Sequence, residues 1–151
     1  MGEQQQLLSD RFEPLNLVEL LSEDPLLVGT FLGLLQSLFK FALRDSSVGH
    51  GDGRLLRPRA AWLQNESHRN FFIAQWQKEP GEFDIVVVNL SPWDSQCYVT
   101  PRIKDLARGQ WEMSDRLGTD QYLRSGREMK QPGLYLALKG RQAQIFRFRR
   151  V

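Results

Sequence analysis

The hydrophobic pattern of the chain is densest at Phe83 to Leu90, a β-branched run reading Phe-Asp-Ile-Val-Val-Val-Asn-Leu. Phe83, Ile85 and Val87 fall on one face of an extended segment, and Val86, Val88 and Leu90 on the other. A strand apolar on both sides belongs in the middle of a sheet, so both of its faces are expected to be covered. Further strand candidates recur at short intervals: Arg54 to Trp62, Asn70 to Gln77, Ser95 to Pro101, Gly109 to Asp115, Gly133 to Lys139 and Ala143 to Arg149. The later ones alternate cleanly. Leu134, Leu136 and Leu138 share a face, and Phe146 and Phe148 point opposite Arg147 and Arg149, as in half-buried antiparallel strands. Pro80-Gly81, Ser91-Pro92, Gly126 and Pro132-Gly133 supply the turns. The spacing predicts an antiparallel β-sandwich of about seven or eight strands.

Upstream the period changes. Asp24-Pro25 is a helix start, with Asp24 as N-cap and Pro25 at the first helical position, where its missing amide hydrogen costs nothing. The pattern predicts a helix from Pro25 to about Leu43. Leu27, Phe31, Leu34, Leu35, Leu38 and Ala42 follow a 3.6-residue period, and Val28, Leu32, Phe39 and Phe41 widen the stripe until little polar face is left. Such a helix seeks burial on most sides, and the second face of the central strand is one place for it. Its length approaches that of a membrane span, but Lys40 inside a span would cost about 2.5–3.5 kcal/mol, so a protein partner is the better expectation. Gly29 and Gly33 leave room for another backbone. The organisation expected is an irregular segment and apolar helix over 1–44, a linker over 45–53 and a β-sandwich over 54–151. The linker's three alternate glycines are not followed by Lys-Ser or Lys-Thr, so they do not form a phosphate-cradling loop.

Composition narrows the chemistry. At 151 residues and 41% hydrophobic the chain can build one real core. A net charge of +2 is too near balance for a nucleic-acid partner, and Arg147, Arg149 and Arg150 read as a solvated strand edge. With Cys97 as the lone cysteine there is no intramolecular disulfide, and His50 and His68 with it make no metal site. No cofactor is implied. The polar stretch Met1 to Asp10 lacks the pattern of a secretory signal, which makes the cytoplasm the expected location. Cys97 lies inside a predicted strand without a histidine partner, and Glu82, Asp84, Asp94, Asp105, Asp115 and Asp120 fall mostly at strand ends and turns, where solvated charges are usual. No catalytic residue is expected. The aromatics carry more: Trp76 and Trp111 are expected to fill the core, whereas Trp93, in the turn Ser91-Pro92-Trp93-Asp94, is the best exposed candidate to stack on a sugar ring, and Trp62 and Tyr122 are further candidates.

From about Pro25 onward the order of features resembles the closing segment of bacterial α-amylase-superfamily glycoside hydrolases of the maltogenic amylase and trehalose synthase-like kind. The stretches that carry the resemblance are Asp24-Pro25 with Phe31 and Leu34-Leu35; Arg57 to Trp62; Asn65 to Ala74; Val86 to Pro92; Ser95 to Val99; Trp111 with Asp115-Arg116-Leu117; Tyr122; and Gly133 to Leu138. The resemblance implies a last barrel helix followed by an all-β domain, non-catalytic by itself, that packs on and stabilises an amylase-type catalytic barrel supplied in cis or in trans and contacts α-glucan. The barrel's own catalytic carboxylates have no counterpart here, so no catalytic role carries over. Two other readings stay open: a free-standing carbohydrate-binding module using Trp93, and a membrane-associated or oligomeric scaffold using the apolar helix.

Overall fold

The computed structural model describes Gly33, Lys40 and residues 43–151. The chain divides into two units, Met1–Phe41 and Ala42–Val151. Most of the predicted apolar helix lies outside the described residues; Gly33 and Lys40 are helical, and Leu43 is already in a turn.

The second unit is mainly β. Its strands are β1 (Asp52–Leu55), β2 (Arg59–Ala60), β3 (Phe71–Gln77), β4 (Glu82–Asn89), β5 (Ser95–Val99), β6 (Gln110–Asp115), β7 (Gln121–Ser125), β8 (Leu134–Leu138) and β9 (Ala143–Arg150). All pairings are antiparallel, in a six-stranded sheet of order β1-β3-β4-β9-β6-β7 and a three-stranded sheet of order β2-β5-β8. A 3-10 turn, Glu66–Asn70, leads into β3, and a helical turn, Gly126–Glu128, leads toward β8.

Alternation decides which side chains meet. On the large sheet Phe71 and Ile73, Phe83, Ile85 and Val87, Phe146 and Phe148, and Trp111 and Met113 point inward; on the small sheet Cys97, Val99, Leu134, Leu136 and Leu138 do so. These residues form one buried cluster, so the apolar faces of the two sheets share a core, as a sandwich requires. Phe83 is its centre, stacked on Phe148 at 4.4 Å and meeting Trp111 edge-on at 5.1 Å. The outer side of β4 is covered less: Asp84 is buried, but Val86 and Val88 are half-buried. Beside them Phe72 and Leu55 are exposed, which leaves an apolar stripe facing outward across β1, β3 and β4.

Several expectations need correcting. The single strand predicted over Arg54 to Trp62 is two strands in different sheets; Leu56 turns into the core, Pro58 cannot continue a ladder, and the chain crosses from β1 to β2 there. Strand β7 has no predicted counterpart, and nine strands lie among the described residues. Its polar Gln121, Arg124 and Ser125 lie at a sheet edge, where alternation is not enforced. Trp76 is not a core residue: it points outward on the row Gly53, Trp76, Asp84, Arg147, Ser114, with its indole over Gly53. Neither Arg147 nor Asp84 is solvated. β9 is central, both side chains are buried, and Arg147 Nε lies 3.3 Å from Asp84 Oδ1. Asp84 Oδ2 also accepts from the Ser47 amide at 2.6 Å, which fastens the segment after Leu43 to the sheet.

Candidate functional site

The end of β4 carries the densest hydrogen bonding among the described residues. Asn89 follows Phe83, Ile85 and Val87 on the inward face, so its amide is delivered into the core at 1% exposure. An amide there must be fully bonded. Asn89 Nδ2 donates to the carbonyls of Trp93 (2.7 Å), Lys139 (2.9 Å) and Leu138 (3.3 Å), and its Oδ1 accepts from the Ser91 amide at 3.0 Å. The Trp93 carbonyl also accepts from Ser91 Oγ at 2.9 Å and Ser95 Oγ at 3.2 Å, while the Trp93 amide donates to Ser91 Oγ at 3.0 Å.

Four short polar contacts therefore fix the backbone of a residue whose indole is 75% exposed. The β8–β9 turn closes against the same place. Arg141 N donates to Ser91 O at 2.8 Å, and a Cβ on Gly140 would strike the Pro92 backbone, so only glycine allows the approach. Asp94 bridges the two turns, accepting from Lys139 Nζ at 2.7 Å and from the Gly140 amide at 3.3 Å. The Lys139 hydrogen bond holds the Asp94 carboxyl below its ordinary value, and the same bond raises the Lys139 ammonium above its own. An exposed aromatic face on a rigid turn, with a paired carboxylate next in sequence, can stack on the C–H face of a sugar while charged groups meet its hydroxyls.

The structure places the other two predicted contacts differently. Trp62, 55% exposed, follows β2 in a turn closed by Asn65 N to Trp62 O at 3.1 Å. Asn65 caps the 3-10 turn through Ser67 N at 2.8 Å and reaches Gln96 Oε1 at 3.3 Å, which sets this turn beside the start of β5. Trp62 and Trp93 thus share one end of the two-sheet unit. Tyr122 does not join them. It sits on edge strand β7, opposite Met113, in the row of Phe148 and Phe83, six residues along β4 from Asn89. Its hydroxyl donates to Asp120 Oδ2 at 3.1 Å, which raises its pKa, and Arg124 stacks on its ring at 4.8 Å.

One arrangement was not foreseen. Register pairs Tyr98 with Tyr135 on the outward face of the small sheet, ring centroids 5.6 Å apart, next to Arg59. Both tyrosines stand out in the sequence, but only the pairing of β5 with β8 brings them together. Asn65 and Asn89, each heading an Asn-x-Ser triplet, prove to be a cap and a buried hub. Cys97 is fully buried, and burial pushes its thiol up to about 12, away from nucleophilic use. Among the described residues no group of three His, Cys, Asp or Glu is placed to hold a metal, and no helix is long and apolar enough to cross a membrane.

No known family profile matches the chain, and no curated protein matches it. Among the solved structures that it matches is a "putative alpha-N-acetylgalactosaminidase" from Bacillus halodurans, at 9% identity and a TM-score of 0.46. The match covers 70% of this chain, which spans only 22% of that one. A likeness so slight carries no functional weight.

Proposed function

We propose that the described unit is a non-catalytic β-sandwich domain of an α-amylase-like glycoside hydrolase, which packs on a catalytic barrel and contacts α-glucan through Trp93. The observation that carries the glucan contact is the combination of a 75% exposed indole with a backbone held by Asn89, Ser91 and Ser95. Rigid presentation matters because sugars offer little apolar area, and any ordering of the platform on binding would offset the stacking energy. The packing role is supported by the resemblance of the strand and turn segments and by the outward apolar stripe of Leu55, Phe72, Val86 and Val88.

Titration of the chain with maltoheptaose, read by tryptophan fluorescence, tests the glucan contact. Saturable quenching that disappears in Trp93→Ala is the expected result. A flat titration from folded protein would remove the glucan contact and leave the packing role alone.

A further inference from the structure

At the opposite end of β5 from Trp93, about 17 Å along five strand residues, the chain leaves the small sheet in the loop 100–108. Three anchors make this loop rigid. The buried Gln75 side chain clasps the Arg102 backbone on both sides, Oε1 accepting from the amide at 2.8 Å and Nε2 donating to the carbonyl at 3.2 Å. The buried indole of Trp111 donates to Leu106 O at 3.0 Å. Gly126 is pressed against the loop so closely that a Cβ would strike the Leu106 carbonyl, and its amide donates to Gly109 O at 3.1 Å. That last contact locks the turn bearing Lys130 beside the loop.

Between them lies a cleft of about 320 Å3. Arg102, Arg108 and Lys130 line it, with Asp105 as the opposing carboxylate, 3.6 Å from Arg108 Nε. Three cations less one carboxylate leave a local charge of +2. The cleft is at the small end of the range that takes small molecules. We propose that it binds a phosphate monoester of monosaccharide size. A monoester carries about −1.5 to −2 at pH 7, which matches the local charge, whereas a carboxylate would leave one cation uncompensated. Two guanidinium forks suit a phosphate, and Lys130 adds a point charge. Pro101, Ile103 and Leu106 are buried along its lining, and Ile103 and Leu106 belong to the core cluster. This site lies apart from the Trp93 turn and stands whether or not that turn holds glucan.

Calorimetric titration of the full chain with glucose 6-phosphate, inorganic phosphate and glucose tests the assignment. Glucose 6-phosphate is expected to saturate, inorganic phosphate to bind at least about fivefold more weakly, and glucose not to bind in this cleft. The double variant Arg102→Gln/Lys130→Gln should weaken glucose 6-phosphate binding by about tenfold or more. Both side chains are exposed, so the fold is kept. The charge-matched control Lys78→Gln/Arg127→Gln should bind as the parent does. No saturation, or an equal loss in the control, would overturn the site; equal affinity for inorganic phosphate would overturn the ester and reduce the cleft to an ion site.

Discussion

A single amide, that of Asn89, connects three backbone carbonyls and one amide hydrogen at the end of β4. Truncating it removes one donor from each of three carbonyls and takes the acceptor from the buried Ser91 amide; Trp93 O keeps the two serine hydroxyls and Lys139 O keeps the Gln142 amide, and each buried group left unsatisfied costs about 1–3 kcal/mol. Asn89→Ala is therefore expected to lower stability by about 3 kcal/mol in urea unfolding, with an unchanged slope. It should also weaken glucan binding although Trp93 is intact, because the turn loses the bond at 2.7 Å to its carbonyl. Cys97 makes the second residue-level prediction. Its folded pKa, about 12, lies above its ordinary 9.0, so the folded state keeps the thiol proton where the unfolded state releases it. That contribution to stability is fully present below pH 9.0 and is lost as the pH rises toward 12. Unfolding free energy should fall above that lower value by up to about 1.4 kcal/mol per pH unit, and Cys97→Val should flatten this part of the profile. An identical alkaline decline in the variant would assign it to other groups.

Strands β4 and β9 are joined on their outward side by the Asp84–Arg147 pair, buried at 2% and 6% side-chain exposure. Removing one partner strands the other charge in a dry site, at a cost of about 3–5 kcal/mol, whereas replacing both with apolar residues is often neutral. Arg147→Met should therefore destabilise strongly, and Asp84→Leu/Arg147→Met should recover most of the loss. The recovery falls short by the Ser47 amide bond, which only Asp84 provides. Denaturant midpoints of the two variants check this; equal losses would mean that the pair is not the main attachment there. The same elements explain what could be read from the chain beforehand. Period-2 runs predicted β8 and β9 because one face of each is enclosed in the core, where alternation is compulsory, whereas β4 was legible as a β-branched run apolar on both faces. Strand β7 escaped because its side chains are exposed or half-buried. Arg147 and Asp84 misled because a charge in an alternating strand reads as solvent-facing, and only the register Asp84 to Arg147 reveals the partner. Trp93 was legible as a turn aromatic, whereas nothing in the sequence marked the amide that fixes it, 4 residues earlier in the chain.

In the unit as a whole, the two-sheet body separates the two proposed binding sites. The Trp93 end depends on two turns that meet only because β4–β5 and β8–β9 finish at the same level, with Asn89 N bonded to Gln142 O at 2.9 Å. Asp94 and Lys139 are the charged link across that meeting. Because Asp94 titrates below its ordinary 3.8 and Lys139 above its ordinary 10.5, both remain charged throughout the neutral range. Maltoheptaose affinity is therefore expected to be flat from about pH 5 to about pH 9. It should fall only when acid below the usual carboxylate range protonates Asp94, releasing Lys139 Nζ and the Gly140 amide together. Asp94→Asn should bind glucan more weakly across the neutral range and lack the acid fall, converging with the parent once acid has protonated Asp94, since its amide carries no charge to pair with Lys139. Fluorescence titrations across the pH range separate this from the alternative. A midpoint in the neutral range would belong to another group and would displace the Asp94–Lys139 link as the element that shapes the site.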